Sequence, residues 1–439
     1  MQKPIHKISI FRQSLTGQVH YKTRASILQY VLTIGLLSII LLSGFVGWIY
    51  YVVQIKKIQK TEIEGQKMVQ ELMLFLPNEI EIPLGEKQML SDSIGLGTAL
   101  EIEHRFHGIF NWYGINGIVN KKAYHKSAFY GDVSPNPSMS LMIPNNGRTL
   151  YLAGRAELSG TVYTSGGGIR SSAMGGTNSS FSSKQIGQLN IKKSEAKLPQ
   201  IAADLKQHLH NLIDDRLWSP QEFTQEQGSV VHSFSKPLKI IEFNEFKSLA
   251  AIQYIGNVWI RSTFPIEIQA SAVLKDVLIT APKITIEEGF TGQFQAIASK
   301  SIHVEKNCFL QYPSVLWVKE LDSISSTSEG PKIFIGSDSN VLGYVGYEQN
   351  NPSENPPAPD LYIEDRAQVY GQVYVMGNTE LKGAIQGSLY SEDIVAFHQG
   401  ILYKNHLFNG KILIDQRVSE FVDFRWENSR KQKIMQWLY

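Results

Sequence analysis

Residues 266–304 read IEIQASAVLKDVLITAPK, ITIEEGFTGQFQAIASKS and IHV, and the way these three pieces begin decides the fold. Ile266-Glu-Ile268, Ile284-Thr-Ile286 and Ile302-His-Val304 each start eighteen residues after the last, without a gap. Within the units Val273, Thr291 and Phe309 correspond, as do Ile279, Ile297 and Val315. The same opening returns at Ile333-Phe-Ile335 and Leu361-Tyr-Ile363, the extra length falling in Ser323–Gly330 and the Pro/Asn-rich Gln349–Pro359. Val369-x-Gly371-x-Val373 is then echoed twelve residues on by Leu381-x-Gly383-x-Ile385. Short strands at a fixed period, separated by turn residues, are the signature of a solenoid. Alternate Ile, Val and Leu side chains point inward and stack on the same position one coil along. The spacing therefore predicts a parallel β-helix (β-solenoid) over 258–400 in a mainly β chain. Seven or eight coils at about 4.8 Å make a shaft of roughly 35 Å. A β-sandwich with strands at this interval is the alternative. A solenoid must also protect its ends. Residues 401–439, with Phe424, Trp426, Trp437 and Tyr439 amid Arg425, Arg430, Lys431 and Lys433, are expected to form a C-terminal cap or a docking segment for a partner.

Upstream, the stretch Ala25–Ile55 carries no charged side chain and is dominated by Leu, Ile, Val, Tyr and Gly. About 20 apolar residues span the roughly 30 Å hydrocarbon core, and lipid offers no partners to an open backbone. A single-pass transmembrane helix over 25–55 is predicted, with membrane lipid as its partner. A cleaved signal peptide has an apolar core of only about 7–15 residues. Lys22 and Arg24 flank the run on one side and Lys56, Lys57 and Lys60 on the other, with Trp48, Tyr50 and Tyr51 placed as interfacial anchors. Residues 1–24 read as a basic cytoplasmic tail. The N-terminus is expected in the cytoplasm, and everything from about residue 60 onward is expected beyond an inner or plasma membrane, in the periplasm or outside the cell. Ile58, Val69, Leu72, Met73 and Leu76 recur at helical spacing, so 56–77 is read as a helical stalk stopped by Pro77, with a kink or joint at Gly65.

Region 78–257 reads as β-rich. Glu79–Ile82 and Leu100–Glu103 alternate, and Trp112 to Val119 carries glycines suited to hairpins. Thr164–Ser183 is nearly all Gly, Ser and Thr and is expected to be a loop. Pro199 opens a helix over 199–217 with Ile201, Leu205, Leu209, Leu212 and Ile213 on one face, flanked by His208, His210, Asp214 and Asp215, none of them assigned a ligand.

The 439 residues carry a net charge of +2, which supplies no field for nucleic acid, and none is expected as a partner. One cysteine, Cys308, excludes an intrachain disulfide. There is no Gly-x-Ser-x-Gly elbow, His-Glu-x-x-His, paired-cysteine site or P-loop. His104 and His107 invite a metal reading, but residues three apart on a strand face opposite ways. No catalytic, cofactor-binding or metal residue is assigned, and no cofactor is expected. A membrane-tethered polysaccharide lyase or glycoside hydrolase is the alternative function. Its candidate groups would be Asp338, Asp360, Glu364, Asp365 and Arg366.

Val369-Tyr-Gly371-Gln-Val373-Tyr through Leu381-Lys-Gly383-Ala-Ile385-Gln-Gly387 resembles bactofilin-like, polymer-forming β-helix domains. That resemblance implies a self-associating scaffold. Lys22-Thr-Arg24-Ala25-Ser-Ile-Leu-Gln29 resembles the start of a type IV pilin or pseudopilin helix. Those families are cut on the near side of the apolar helix and carry a glutamate five residues in. Here Gln29 stands at that place if Ala25 is first, and no glycine precedes it. Together these imply a membrane-anchored, non-enzymatic assembly protein of the cell envelope, a pilin-like minor subunit or scaffold, with pilus- or secretion-type protein partners.

Overall fold

The computed structural model describes residues 22–79, 82–91, 99–119, 122–218, 228–321, 330–349, 359–414, 421–428 and 431–438. Most of the tail 1–24, positions 80 and 81, and nearly all of the two inserted loops, 323–330 and 349–359, lie outside them. The chain divides into two units, residues 1–67 and 68–439.

The first unit is the leading part of one α-helix, α1 (Lys22–Glu79), whose residues 27–53 expose nearly every large apolar side chain. It is long and apolar enough to cross a membrane. The helix passes Gly65 without ending and takes Pro77 into its last turn. Proline has no N–H for the carbonyl four residues back, so the oxygen of Met73 is released from the helix ladder. The Tyr130 hydroxyl donates to that oxygen at 2.5 Å.

In the second unit, the end of α1 packs on an antiparallel sheet. Its order is β1 (Lys87–Ser91), β2 (Ala99–His107), β3 (Phe110–Val119), β4 (Lys122–Asp132) and the C-terminal strand Gln432–Leu438. Because strand residues alternate faces, β3 and β4 sort their side chains into two cores. Tyr113, Ile115, Ala128 and Tyr130 meet Val69, Met73 and Leu76 of the helix. Phe110, Trp112 and Phe129 face the other way, into a core shared with the outer side of the second sheet.

That second sheet corrects the β-solenoid expectation. The wall is a closed barrel of mostly parallel strands, accompanied by the antiparallel sheet and a small three-stranded one. The eighteen-residue stagger is present as register: Ile266 pairs with Ile284 and Ile284 with Ile302, continued by Ile333 and Leu361. What the period misses is closure. Strands Met139–Met142, Thr161–Thr164 and Asn190–Lys193, expected in a separate region, join the same wall. One inward row runs Ile260, Ile279, Ala296, Leu316, Val345, Val373, Leu389, Leu141, Val162. Every member belongs to the aliphatic interior.

Two register details also differ. Ile279 pairs with Ala296 and then Leu316, because irregularities between Lys275 and Val277 and between Gly292 and Gln295 shift the count. A one-residue slip turns a side chain to the other face, so Ile297 and Val315 lie in the outer core. The glycine echo is sixteen residues, not twelve: Val369, Gly371 and Val373 pair with Ile385, Gly387 and Leu389. Gly343, Gly371 and Gly387 stack in register with φ of 146°, 151° and 157°. A Cβ on Gly371 or Gly387 would run into the carbonyl of the glycine before it, so the row admits no side chain.

The Gly/Ser stretch expected as a loop holds a strand, Ile169–Ser171, and buries Ile169, Met174 and Phe181. The helix of the 199–217 stretch covers Ala203–Ile213 and buries Leu205, Leu209, Leu212 and Ile213 against the outer core.

Candidate binding cleft

The outer side of the wall carries a second row, three residues after each stacked glycine: Gly346, Tyr374 and Tyr390. Pairing extends it both ways, from Trp317 through Gly346, Tyr374, Tyr390 and Met142 to Tyr163. Gly346 is small for a reason, since a Cβ there would overlap the Trp317 ring. The first half of this row is covered. Phe424 stands edge-on to Trp317 at 5.2 Å, and Trp426 lies 5.7 Å from Tyr374 and 5.0 Å from Tyr390. Residues 421–426 are held there by Phe424 N–H donating to Gln372 Oε1 at 2.8 Å and Trp426 N–H to Asp132 Oδ2 at 2.9 Å.

Beyond Trp426 the cover stops and a cleft of about 1600 Å³ opens. Met142, Tyr163 and Tyr390 form one wall, Trp426, Glu427 and Lys431 another, and Glu195, Lys197 and Gln200 a third. Among the described residues, three lysines (193, 197 and 431) and three glutamates (195, 392 and 427) line it. Burial and the neighbouring Asp393 hold the Glu392 carboxyl above its usual range, with Lys197 pulling it back.

The floor at Gln349, Gly377 and Asn378 is fixed by a buried polar group behind it. Asp360 Oδ2 accepts the Asn378 N–H at 2.8 Å, and the Tyr347 hydroxyl donates to Gln349 Oε1 at 3.3 Å. Burial raises the Asp360 carboxyl to about 6 despite Lys332 nearby. Further along the same edge Glu348 takes the Trp317 Nε1–H at 3.2 Å and the Lys319 ammonium at 3.3 Å.

Of the five groups proposed for catalysis, Asp338, Asp365 and Arg366 meet as an exposed ion-pair cluster, Arg366 reaching Asp365 at 3.9 Å, while Asp360 stands apart. Arg366 clamps Asp338 with two bonds of 2.6 and 2.7 Å on an exposed turn. Glu364 accepts from the Ser337 N–H and hydroxyl, both at 2.9 Å, and Asp365 reaches Arg155 at 3.8 Å. Asp360 is buried under the cleft floor. His104 and His107 are both buried, His104 between the Ile82 carbonyl and Asn111 and stacked 4.2 Å from Tyr113. Among the described residues no three His, Cys, Asp or Glu gather as a metal site.

Sequence reasoning missed Met142, Tyr163, Tyr390 and Trp426. The signal was local: Tyr374 and Tyr390 each follow a stacked glycine by three residues, and the twelve-residue echo hid it.

No protein-family model matches the chain. No curated protein matches it either. The bactofilin-like resemblance therefore has no support. Among solved structures, the competence-associated pilin ComZ from Thermus thermophilus matches at 9% identity and a TM-score of 0.24, over 83% of this chain and 88% of that one. At that TM-score the likeness carries no weight for fold or function.

Proposed function

We propose that the chain is a membrane-anchored, pilin-like subunit of the cell envelope, non-enzymatic, whose barrel presents a binding surface. One observation carries the reading. A single helix has an apolar, exposed leading half, and its last turns bury Val69, Met73 and Leu76 on an antiparallel sheet completed by the C-terminal strand. Such a helix is both anchor and core element: lipid takes the first half and the sheet takes the second. The pilin-like start at Lys22–Gln29 fits the same use. Arg366 neutralises Asp338 and Asp365 on an exposed turn, Glu364 is engaged by Ser337, and Asp360 is buried, an arrangement that favours binding over hydrolysis.

The test is intact mass of the chain purified from membranes. Processing between Arg24 and Ala25 removes residues 1–24 and leaves the apolar helix as the new N-terminus, as a pilin-like subunit requires. An unprocessed chain that resists alkaline extraction is a static anchor, and one released by alkali has no membrane anchor.

A further inference from the structure

We propose that acid opens the seam between the antiparallel sheet and the barrel wall: protons taken up by His107 and His208 release the turn His107–Phe110 from the wall, while the wall itself stays folded. This inference does not depend on how the N-terminus is processed. The seam is built as a latch. Gly108, at φ 60°, carries the chain past Gln295 where a Cβ would collide with that side chain. The Gln295 amide then closes on the turn, Nε2 donating to the His107 carbonyl at 2.9 Å and Oε1 accepting the Ile109 N–H at 3.0 Å. Phe110 follows, edge-on to Tyr344 of the wall at 5.4 Å. Asp276 adds a second tie, its Oδ1 accepting from Gln293 at 2.7 Å and from Gln436, on the C-terminal strand, at 2.8 Å.

Two imidazoles are shut into this seam. The His107 ring lies 5.3 Å from both Phe129 and Phe234. One of its nitrogens is hydrogen-bonded to the Asp276 backbone, and Nε2 has no partner among the described residues. His208 packs on Phe106 at 5.0 Å, its Nε2 likewise without one. A proton on either Nε2 creates an N–H with no acceptor and a charge away from water, and both defects are relieved when the seam opens. The surrounding charges offer no rescue. On its own strand His107 meets Arg105, which repels a second cation. From the wall comes Asp276, its carboxyl already engaged by two amides and with Lys275 beside it. On the helix Ala203–Ile213, Asp204 favours a charged His208 but is held by Arg425 at 2.7 Å.

The direction follows from the two states. Closed, His107 is held down to about 3 by burial and then by Arg105, and His208 down to about 4 by burial. Open, an exposed imidazole titrates near about 6.5. Opening therefore takes up a proton at each ring below that value, and each proton favours the open state about tenfold per pH unit. Asp276 works the other way: burial holds its carboxyl above the usual range, so through that group acid favours the closed seam. Two imidazoles against one carboxyl leave a net uptake of at least about one proton.

The experiment is hydrogen exchange of the full chain in detergent, read by mass spectrometry from about pH 7 to about pH 4.5 and corrected for the intrinsic exchange rate. Opening of the segment 106–112 should grow about ten- to a hundredfold per pH unit below about pH 6, while the wall segment 293–304 stays closed. In the double variant His107→Gln with His208→Phe, opening should no longer grow with acid. Should that variant not fold, His208→Phe alone should make the rise about tenfold shallower per pH unit. Opening of 106–112 that ignores pH overturns the proposal. So does opening in step with 293–304, which is unfolding of the whole, or an acid-driven rise that the variant tested leaves unchanged.

Discussion

The antiparallel sheet and the barrel wall share one core, yet they handle buried polar groups in opposite ways. The wall pairs its charges: Lys319 with Glu348, Lys332 with Glu320 at 2.8 Å, and Arg261 with Glu242 at 2.6 Å. The sheet's side of the core keeps imidazoles neutral. His107 is driven down to about 3 by burial and then by Arg105, and His208, on the helix Ala203–Ile213 beside Phe106, down to about 4 by burial. Neither ring's Nε2 has a hydrogen-bond partner among the described residues. A buried ion pair fails when one partner is removed; a buried neutral histidine fails when a proton arrives. The two regions should therefore break under different insults.

The largest effect is expected in the wall. Glu348→Ala strands the Lys319 ammonium, 7% exposed, and should cost about 3–5 kcal/mol of unfolding free energy in denaturant melts. Replacing both, as Lys319→Met with Glu348→Leu, should recover most of it. A double variant as unstable as the single one would break the pairing account.

Next comes the sheet. Tyr130→Phe deprives the Met73 carbonyl of the donor that Pro77 made necessary, and should cost about 1–3 kcal/mol. In the background Pro77→Ala, where the helix supplies its own N–H, the same change should cost clearly less. Equal costs in both backgrounds would separate Pro77 from the tyrosine.

The smallest effect is the most diagnostic. His208 has a folded pKa below its unfolded value, so the stability held by its neutral form is complete above about 6.5 and declines as pH falls toward 4. His208→Phe should therefore gain on the parent in Tm between pH 7 and 4. Asp360 is a carboxyl with a raised pKa, so its favourable protonated form is complete below the usual carboxylate value and lost as pH rises through about 6. The advantage of Asp360→Asn should grow in the opposite direction, from pH 4 to 8. Two slopes of the same sign would erase the contrast between the regions.

Legibility in the sequence followed the same division. Ile266, Ile284 and Ile302 pair as their spacing says, because each repeat lies within eighteen residues of its neighbour and no insertion intervenes. The closure of the wall was not legible. Leu389 meets Leu141 across 248 positions of chain, and no local pattern marks such a pair. The faces of Ile297 and Val315 turned on irregularities that period counting cannot feel. The cleft is assembled from segments near 135, 195, 349, 377, 390 and 427, so only its aromatic row had a periodic trace. Proline in the last turn of α1 read as a stop because its compensating hydroxyl comes from another strand.

The register of Gln432 with Asp132 sets an order of events during synthesis. The strand that completes the antiparallel sheet is made 300 positions after its neighbour. The last strand of the barrel wall, Lys411–Leu413, precedes it by a short stretch of chain, and β4 must wait with one edge open. A chain cut between residues 414 and 432 would hold the described wall strands and lack the one that completes the antiparallel sheet, a product for quality control to remove before it reaches any assembly.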